Sequence, residues 1–251
     1  MSDAEVEPGE GFEGGPRGIG PQPLPAGPRG GPDRPLLEAA LVFGAYYLGS
    51  YAQVDASALG RALGTASYHG RLVVELAPKA LLLLYLMSRD EGLAAFGLAP
   101  PRPADALRGL GAALGAMAIV LPAGLLLRAF GWSNPLLGST GSPASSPALL
   151  VPLLAASSLA VGYGEELFFR VYLLRRLGQA GLGPAWAALA SSLLFGSAHG
   201  LQGLPGIAVA ACLGLWFSWR WLRGRHFHEL ALGHAMYDAA VMALALSARA
   251  A

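Results

Sequence analysis

Lysine is nearly missing from this chain: Lys79 is the lone lysine among seventeen basic residues, and the rest are arginine. That preference fits the codon bias of a GC-rich bacterial genome. Cysteine is as scarce. Cys212 stands alone in an apolar run, so a disulfide framework and a cysteine-built zinc site are both excluded. Charge of either sign is thin, at 13% of residues, about half the roughly 25% of an ordinary soluble domain. The net charge is +1, which gives no basic field for a nucleic-acid partner. Several chemical signatures are also missing. There is no H-E-x-x-H helix, no serine in a G-x-S-x-G setting, and no aspartate pair suited to aspartyl chemistry.

What is present is apolar. Hydrophobic residues make up 54% of the chain and the mean hydropathy is +0.47, so much of its surface must face something other than water. Residues 1–34 begin with acidic residues, are about half Gly and Pro, and lack the apolar core of a signal peptide. They read as a disordered tail. From Pro35 onward, apolar blocks long enough to approach the about 20 residues that span a bilayer occur at 36–53, 71–88, 105–130, 147–174, 183–199, 203–222 and 228–248. The expected fold is an all-α polytopic membrane bundle of about seven spans. Residues 35–144 carry the N-terminal helices and linkers, and 145–248 form a second unit. The proline-dense segment 90–104 cannot continue a helix and reads as an interfacial linker. The Ser/Gly/Pro-rich stretch 132–146 reads as a loop.

Seven spans place eleven arginines on the N-terminal side (17, 29, 34, 89, 102, 108, 175, 176, 220, 223, 225) and four on the other (61, 71, 128, 249). By the positive-inside rule the N-terminus is cytoplasmic, in a bacterial inner membrane. Lys79 lies four residues after Glu75, the spacing of a helical ion pair. That pairing, on an early span, excludes a retinal protein with its Schiff-base lysine on a late helix.

Ionisable groups inside spans are costly, roughly 2.5–3.5 kcal/mol each at mid-helix, so each needs a partner or a purpose. The fourth span carries Gly164-Glu165-Glu166-Leu167-Phe168-Phe169-Arg170. Arg170 lies one turn beyond Glu166 and can hold it ionised. Glu165 points about 100° away and stays available to act on water. The fifth span ends in Phe195-Gly196-Ser197-Ala198-His199, and the seventh supplies His234-Ala235-Met236-Tyr237-Asp238. Asp238, one turn after His234, can orient the imidazole or join it on a metal. His226 and His228 read as interfacial. A Glu/His set of this kind suits a divalent-metal hydrolase, with His199, His234 and Glu165 as zinc ligands. It suits equally a metal-free site in which Glu and His activate water.

The order Glu165-Glu166-x-x-x-Arg170, Phe195-x-x-x-His199, His234-x-x-x-Asp238 resembles the three signature motifs of the CPBP intramembrane proteases, the CAAX prenyl endopeptidases and bacteriocin-processing or immunity proteins. The resemblance covers residues 145–248. It implies that Glu165 is the general base assisted by His199, that Glu166 and Arg170 support the site, and that His234 with residue 238 stabilises the oxyanion. That family takes Asn or Asp at the last position. Asp238, if ionised, cannot donate to an oxyanion, so it is expected to orient His234 or to stay protonated.

Depth gives a check. At 1.5 Å per helical residue, Glu165 lies about 15 Å from Arg175 and His234 about 13 Å from Arg225, but His199 lies roughly 22 Å beyond Pro184. His199 can join the others only if its helix starts above the membrane surface or tilts. The expected substrate is a membrane-embedded or membrane-anchored protein or peptide, cleaved in maturation or sorting. The rival readings are a proton-coupled transporter, disfavoured by the lack of an inverted repeat, and a non-catalytic immunity or partner-binding protein.

Overall fold

The structure, a computed structural model, describes residues 33–48, 55–132, 134–135, 145–224 and 226–250. The 1–34 tail, apart from its last two residues, and most of the 132–146 loop lie outside these. Among the described residues every regular element is helical, with no strand. The elements are α1 (Asp33–Tyr47), α2 (Ala56–Ala62), α3 (Ala66–Asp90), a 3-10 turn (Leu93–Phe96) and α4 (Pro103–Ala129). They continue with α5 (Pro147–Glu166), a π-helical segment (Leu167–Leu173), α6 (Leu174–Gln179), α7 (Pro184–Ser197), a second 3-10 turn (Gly200–Gln202), α8 (Gly203–Gly224) and α9 (Phe227–Ala250).

Local chemistry explains where the helices begin. α4, α5 and α7 each open with proline in the first turn, where its missing N–H costs nothing and its fixed φ already suits a helix. Thr65 caps α3 by accepting from the Tyr68 N–H at 3.3 Å. Gly97 ends the first 3-10 turn with φ +77°, a left-handed conformation natural to glycine.

Four helical stretches are long and apolar enough to cross a membrane: Pro103–Ala129, Pro147–Gln179, Gly200–Gly224 and Phe227–Ser247. The other three expected spans form shorter or more polar helices. α1 has 15 residues and α7 has 14, short of the about 20 that a bilayer core requires. α3 has 25 but carries Arg71, Glu75, Lys79, Arg89 and Asp90. The predicted Glu75–Lys79 ion pair is formed, at 3.0 Å.

α9 is the hub. It packs along α4 on one side and α5 on the other, while α7 pairs with α8 and α3 lies on α5. α5, the π segment and α6 form one continuous rod, and every residue of the π segment is buried. Its Phe168, Phe169 and Tyr172 interlock with Phe43 and Tyr47 of α1 and with Phe96 of the 3-10 turn. The proline-rich linker therefore does more than skirt the bundle: it places Phe96 in the core.

One face of the molecule is fastened by charge. Arg176 pairs with Glu38 of α1 at 2.8 Å, Asp90 of α3 at 2.6 Å and Glu91 at 3.2 Å. Arg175 binds Glu91 and the Ala95 carbonyl. Gln179 donates to Glu91 at 2.6 Å and Tyr172 to Glu38 at 2.8 Å. Phe96 lies beneath both guanidiniums, 5.0 and 5.4 Å away, in cation–π geometry. The start of α1, the end of α3 and the end of α6 thus meet at one place. Burial of Glu91 opposes its ionisation, but the hydrogen bond from Arg175, the largest influence, holds its carboxyl below the ordinary glutamate value, helped by Gln179 and Arg176.

Candidate active site

Glu165 and Glu166 end α5, where the winding loosens into the π segment. π-helical turns make i→i+5 bonds and recur at functional sites. Glu166 is 0% exposed and so is Arg170, whose Nε lies 3.2 Å from the Glu166 Oε2. The guanidinium also donates to the Gly214 carbonyl of α8 at 3.3 Å. Phe195, Phe217 and Phe169 surround it, with ring centres 4.6, 5.6 and 5.7 Å away. An arginine held by one carboxylate, one carbonyl and three aromatic faces is a desolvated charge with its compensation built in.

The other Glu166 oxygen has a partner the sequence did not reveal. Oε1 lies 2.7 Å from the His234 Nδ1. Glu166 is therefore shared between Arg170 and His234, and it fixes the imidazole of α9 against α5. Glu166 thus holds one ring nitrogen of His234. Asp238 instead faces the other ring nitrogen: its Oδ2 is 3.6 Å from His234 Nε2, and the Glu165 Oε2 is 3.8 Å from the same atom. Both separations exceed a hydrogen bond. Glu165, Asp238 and His234 thus converge on one point without closing on it. Glu165 and Asp238 keep 18% and 28% of their side chains exposed, against none for Glu166, which separates the accessible carboxylates from the anchored one.

His199 joins by a route the depth argument did not foresee. α7 stops at Ser197, and His199 lies in the turn after it, with its N–H donating to the Gly196 carbonyl at 2.9 Å. There it lies beside the Phe195 ring, which also meets His234. Its Nδ1 lies 2.8 Å from the Phe195 carbonyl. A carbonyl only accepts, so Nδ1 carries the proton and Nε2 presents a lone pair. Phe195 touches both histidine rings, at 4.7 Å for His199 and 6.0 Å for His234. Phe217 stacks on His234 at 5.2 Å. Phe217 carried no sequence signal, because it is one aromatic residue in an apolar helix.

Two glycines permit these approaches. A Cβ on Gly162 would lie 2.6 Å from the Ala231 carbonyl of α9, and one on Gly196 would lie 2.7 Å from the Ile207 carbonyl of α8. Each is one turn before a site residue, so α9 and α8 come in close where the chemistry sits, as small residues allow between membrane helices. His226 and His228 lie outside this cluster. His228 bridges the Tyr163 hydroxyl and the Ala99 carbonyl at 3.2 and 3.0 Å.

His199, His234, Asp238 and Phe195 line a cavity of about 340 Å³. Among the described residues no three His, Cys, Asp or Glu side chains are arranged to hold a metal ion. The Nδ1 atoms of both histidines are already engaged, by Glu166 and by the Phe195 carbonyl. That engagement leaves the Nε2 atom of each ring free, the arrangement of a metal-bound imidazole as much as of one that works on water.

An all-helical chain with bilayer-length apolar helices, enclosing a carboxylate–imidazole cluster beside a cavity, belongs to the class of membrane proteins with a buried polar site. Residues 147–240 match the family model described as type II CAAX prenyl endopeptidase Rce1-like, in agreement with the CPBP resemblance of the motifs. The match points to protease activity of the CAAX type within the membrane. Comparison with curated proteins and with solved structures gave no match.

Proposed function

We propose that the protein is an intramembrane endopeptidase that hydrolyses membrane-embedded or membrane-anchored protein or peptide substrates with a water activated by Glu165 and His199. The observation that carries this reading is the convergence of Glu165, Asp238 and Glu166-held His234 beside a cavity. Glu165, acceptor-only when ionised, takes the water proton. His199, which lines the cavity, shares in that transfer through its Nε2 lone pair. His234 has its Nδ1–H committed to Glu166, so Nε2–H of the imidazolium is the donor for the tetrahedral oxyanion. Asp238, in its protonated form, adds a second donor. The proton then passes to the departing amine, and carboxylate and amine leave. This scheme needs no metal.

Four helices qualify as spans by themselves; α1, α3 and α7 complete the crossing count in the seven-span reading. The meeting of the start of α1 with the ends of α3 and α6 supports a common side for the arginine-rich loops, which the positive-inside rule makes cytoplasmic.

The test is purified protein in detergent with a library of membrane-type peptides, comparing the wild type with Glu165→Ala and His199→Ala. Cleavage by the wild type and its loss in both variants is expected. Absence of cleavage, or equal cleavage by all three, defeats the reading. Elemental analysis of the same samples decides the metal: stoichiometric zinc would make Glu165 a ligand rather than a base.

A further inference from the structure

The inward face of α4 changes partner along its length. Gly109, Ala112, Ala113 and Ala116 are buried, and a Cβ on Gly109 would already touch Glu229 and Gly233 of α9 at 3.1 Å. Residues three and four apart share a helical face, so this stripe continues through Val120, Gly124 and Leu127. There it lines the cavity, as does Leu72 of α3. The same cavity is lined by His199, His234 and Asp238. One wall of the site therefore comes from helices that precede the family-matching segment 147–240.

Gly124 differs from the glycines that bring helices together. A Cβ there would meet nothing within 4 Å, whereas one on Gly162 or Gly196 would collide with backbone. No close helix contact requires glycine at this position, and a helix interior disfavours it. Gly124 is exposed and lines the cavity, so its missing side chain leaves open space at that wall.

We propose that the α4 stripe Val120–Gly124–Leu127 is the specificity wall of the site, receiving a bulky apolar side chain of the substrate next to the scissile bond, with Gly124 setting the size admitted. This rests on the endopeptidase reading above. The apolar wall selects an apolar occupant, because burying such surface is what drives its binding. The volume of about 340 Å³ is at the small end of ligand pockets, roughly 300–1,000 Å³. That suits one or two large side chains rather than a folded segment. Filling the wall should therefore exchange a preference for Phe and Leu for one for Ala and Ser, as pocket size changes do elsewhere by about tenfold to hundredfold.

The experiment uses the full chain in detergent with apolar peptides varied on either side of the cut. The wild type should favour Phe, Leu or Met over Ala, and Gly124→Leu should reverse that ratio at least tenfold while still cutting the Ala and Ser peptides. Gly111→Leu, on the same helix with equally open surroundings but off the cavity wall, should leave the ratio unchanged. An unaltered ratio in Gly124→Leu, or loss of all cleavage by a folded Gly124→Leu protein, overturns the proposal. If the wild type cuts nothing, the endopeptidase reading falls, and a binding measurement still decides the wall. For this, Gly124→Cys is placed in a Cys212→Ser background, which removes the lone native thiol. Alkylation of Cys at 124 by a small maleimide should be slowed by acetyl-Phe-Leu-Phe-amide and not by acetyl-Ala-Ala-Ala-amide. Equal rates with the two peptides overturn the proposal.

Discussion

At the scale of the residue, two adjacent glutamates do opposite jobs because of what surrounds them. Glu166 has no exposure and serves Arg170 and His234 together. Glu166→Gln leaves the buried guanidinium without its counter-charge, and removing one partner of such a pair costs about 3–5 kcal/mol. A large drop in thermal stability in detergent is expected along with loss of activity, whereas Glu165→Ala should lose activity with little change in melting temperature. Asp238 separates differently. Asp238→Asn keeps a donor for the oxyanion and should retain activity, while Asp238→Leu removes it and should lower kcat by about tenfold to a thousandfold. Peptide-cleavage kinetics on both variants check the assignment. Spacing alone made the Glu166–Arg170 and Glu75–Lys79 pairs legible, since both are i,i+4. The contact between Glu166 and His234 spans 68 positions, and no local pattern encodes it.

At the scale of the element, close helix approach does the positioning. Gly162 lets α9 reach α5 at the level of Ala231 and Ala235, which flank His234. Gly162→Val should push the two helices apart, lengthen the Glu166–His234 contact and cost about 1–3 kcal/mol through overpacking. Paired melting and kinetic measurements should show activity falling further than stability alone explains. Apolar blocks and proline starts made most of the long helices legible, with α4 at Pro103–Ala129 and α8 at Gly203–Gly224 close to the expected 105–130 and 203–222. The π segment was not legible, because nothing in Leu-Phe-Phe-Arg-Val-Tyr-Leu distinguishes i→i+5 from i→i+4 winding. The end of α7 at Ser197 was hidden too, because the apolar run gives no stop signal before His199.

At the scale of the whole molecule, charge binds the early helices to the rod that carries Glu165 and Glu166. The Glu91 carboxyl is held below its ordinary value in the folded state, first by Arg175. A lowered folded-state value contributes stability that is fully present above the unfolded value of about 4.5 and is lost as pH falls below it. Melting temperature in detergent should therefore fall on acidification through that range, and Glu91→Gln should start lower at pH 7 and show a shallower dependence. Arg175 and Arg176 entered the sequence reading only as loop arginines that set topology. In the structure they are buried, against carboxylates that lie 84 to 138 positions away.

The clasp also sets how much of this chain could be moved elsewhere as a working unit. The family-matching stretch starts at residue 147, but Arg175 and Arg176 take their counter-charges from Glu38, Asp90 and Glu91. A graft of that stretch alone would carry two orphaned cations at the end of its central helix. The smallest portable piece is therefore the whole bundle from α1 onward, and the early helices are co-owners of the site rather than its packaging.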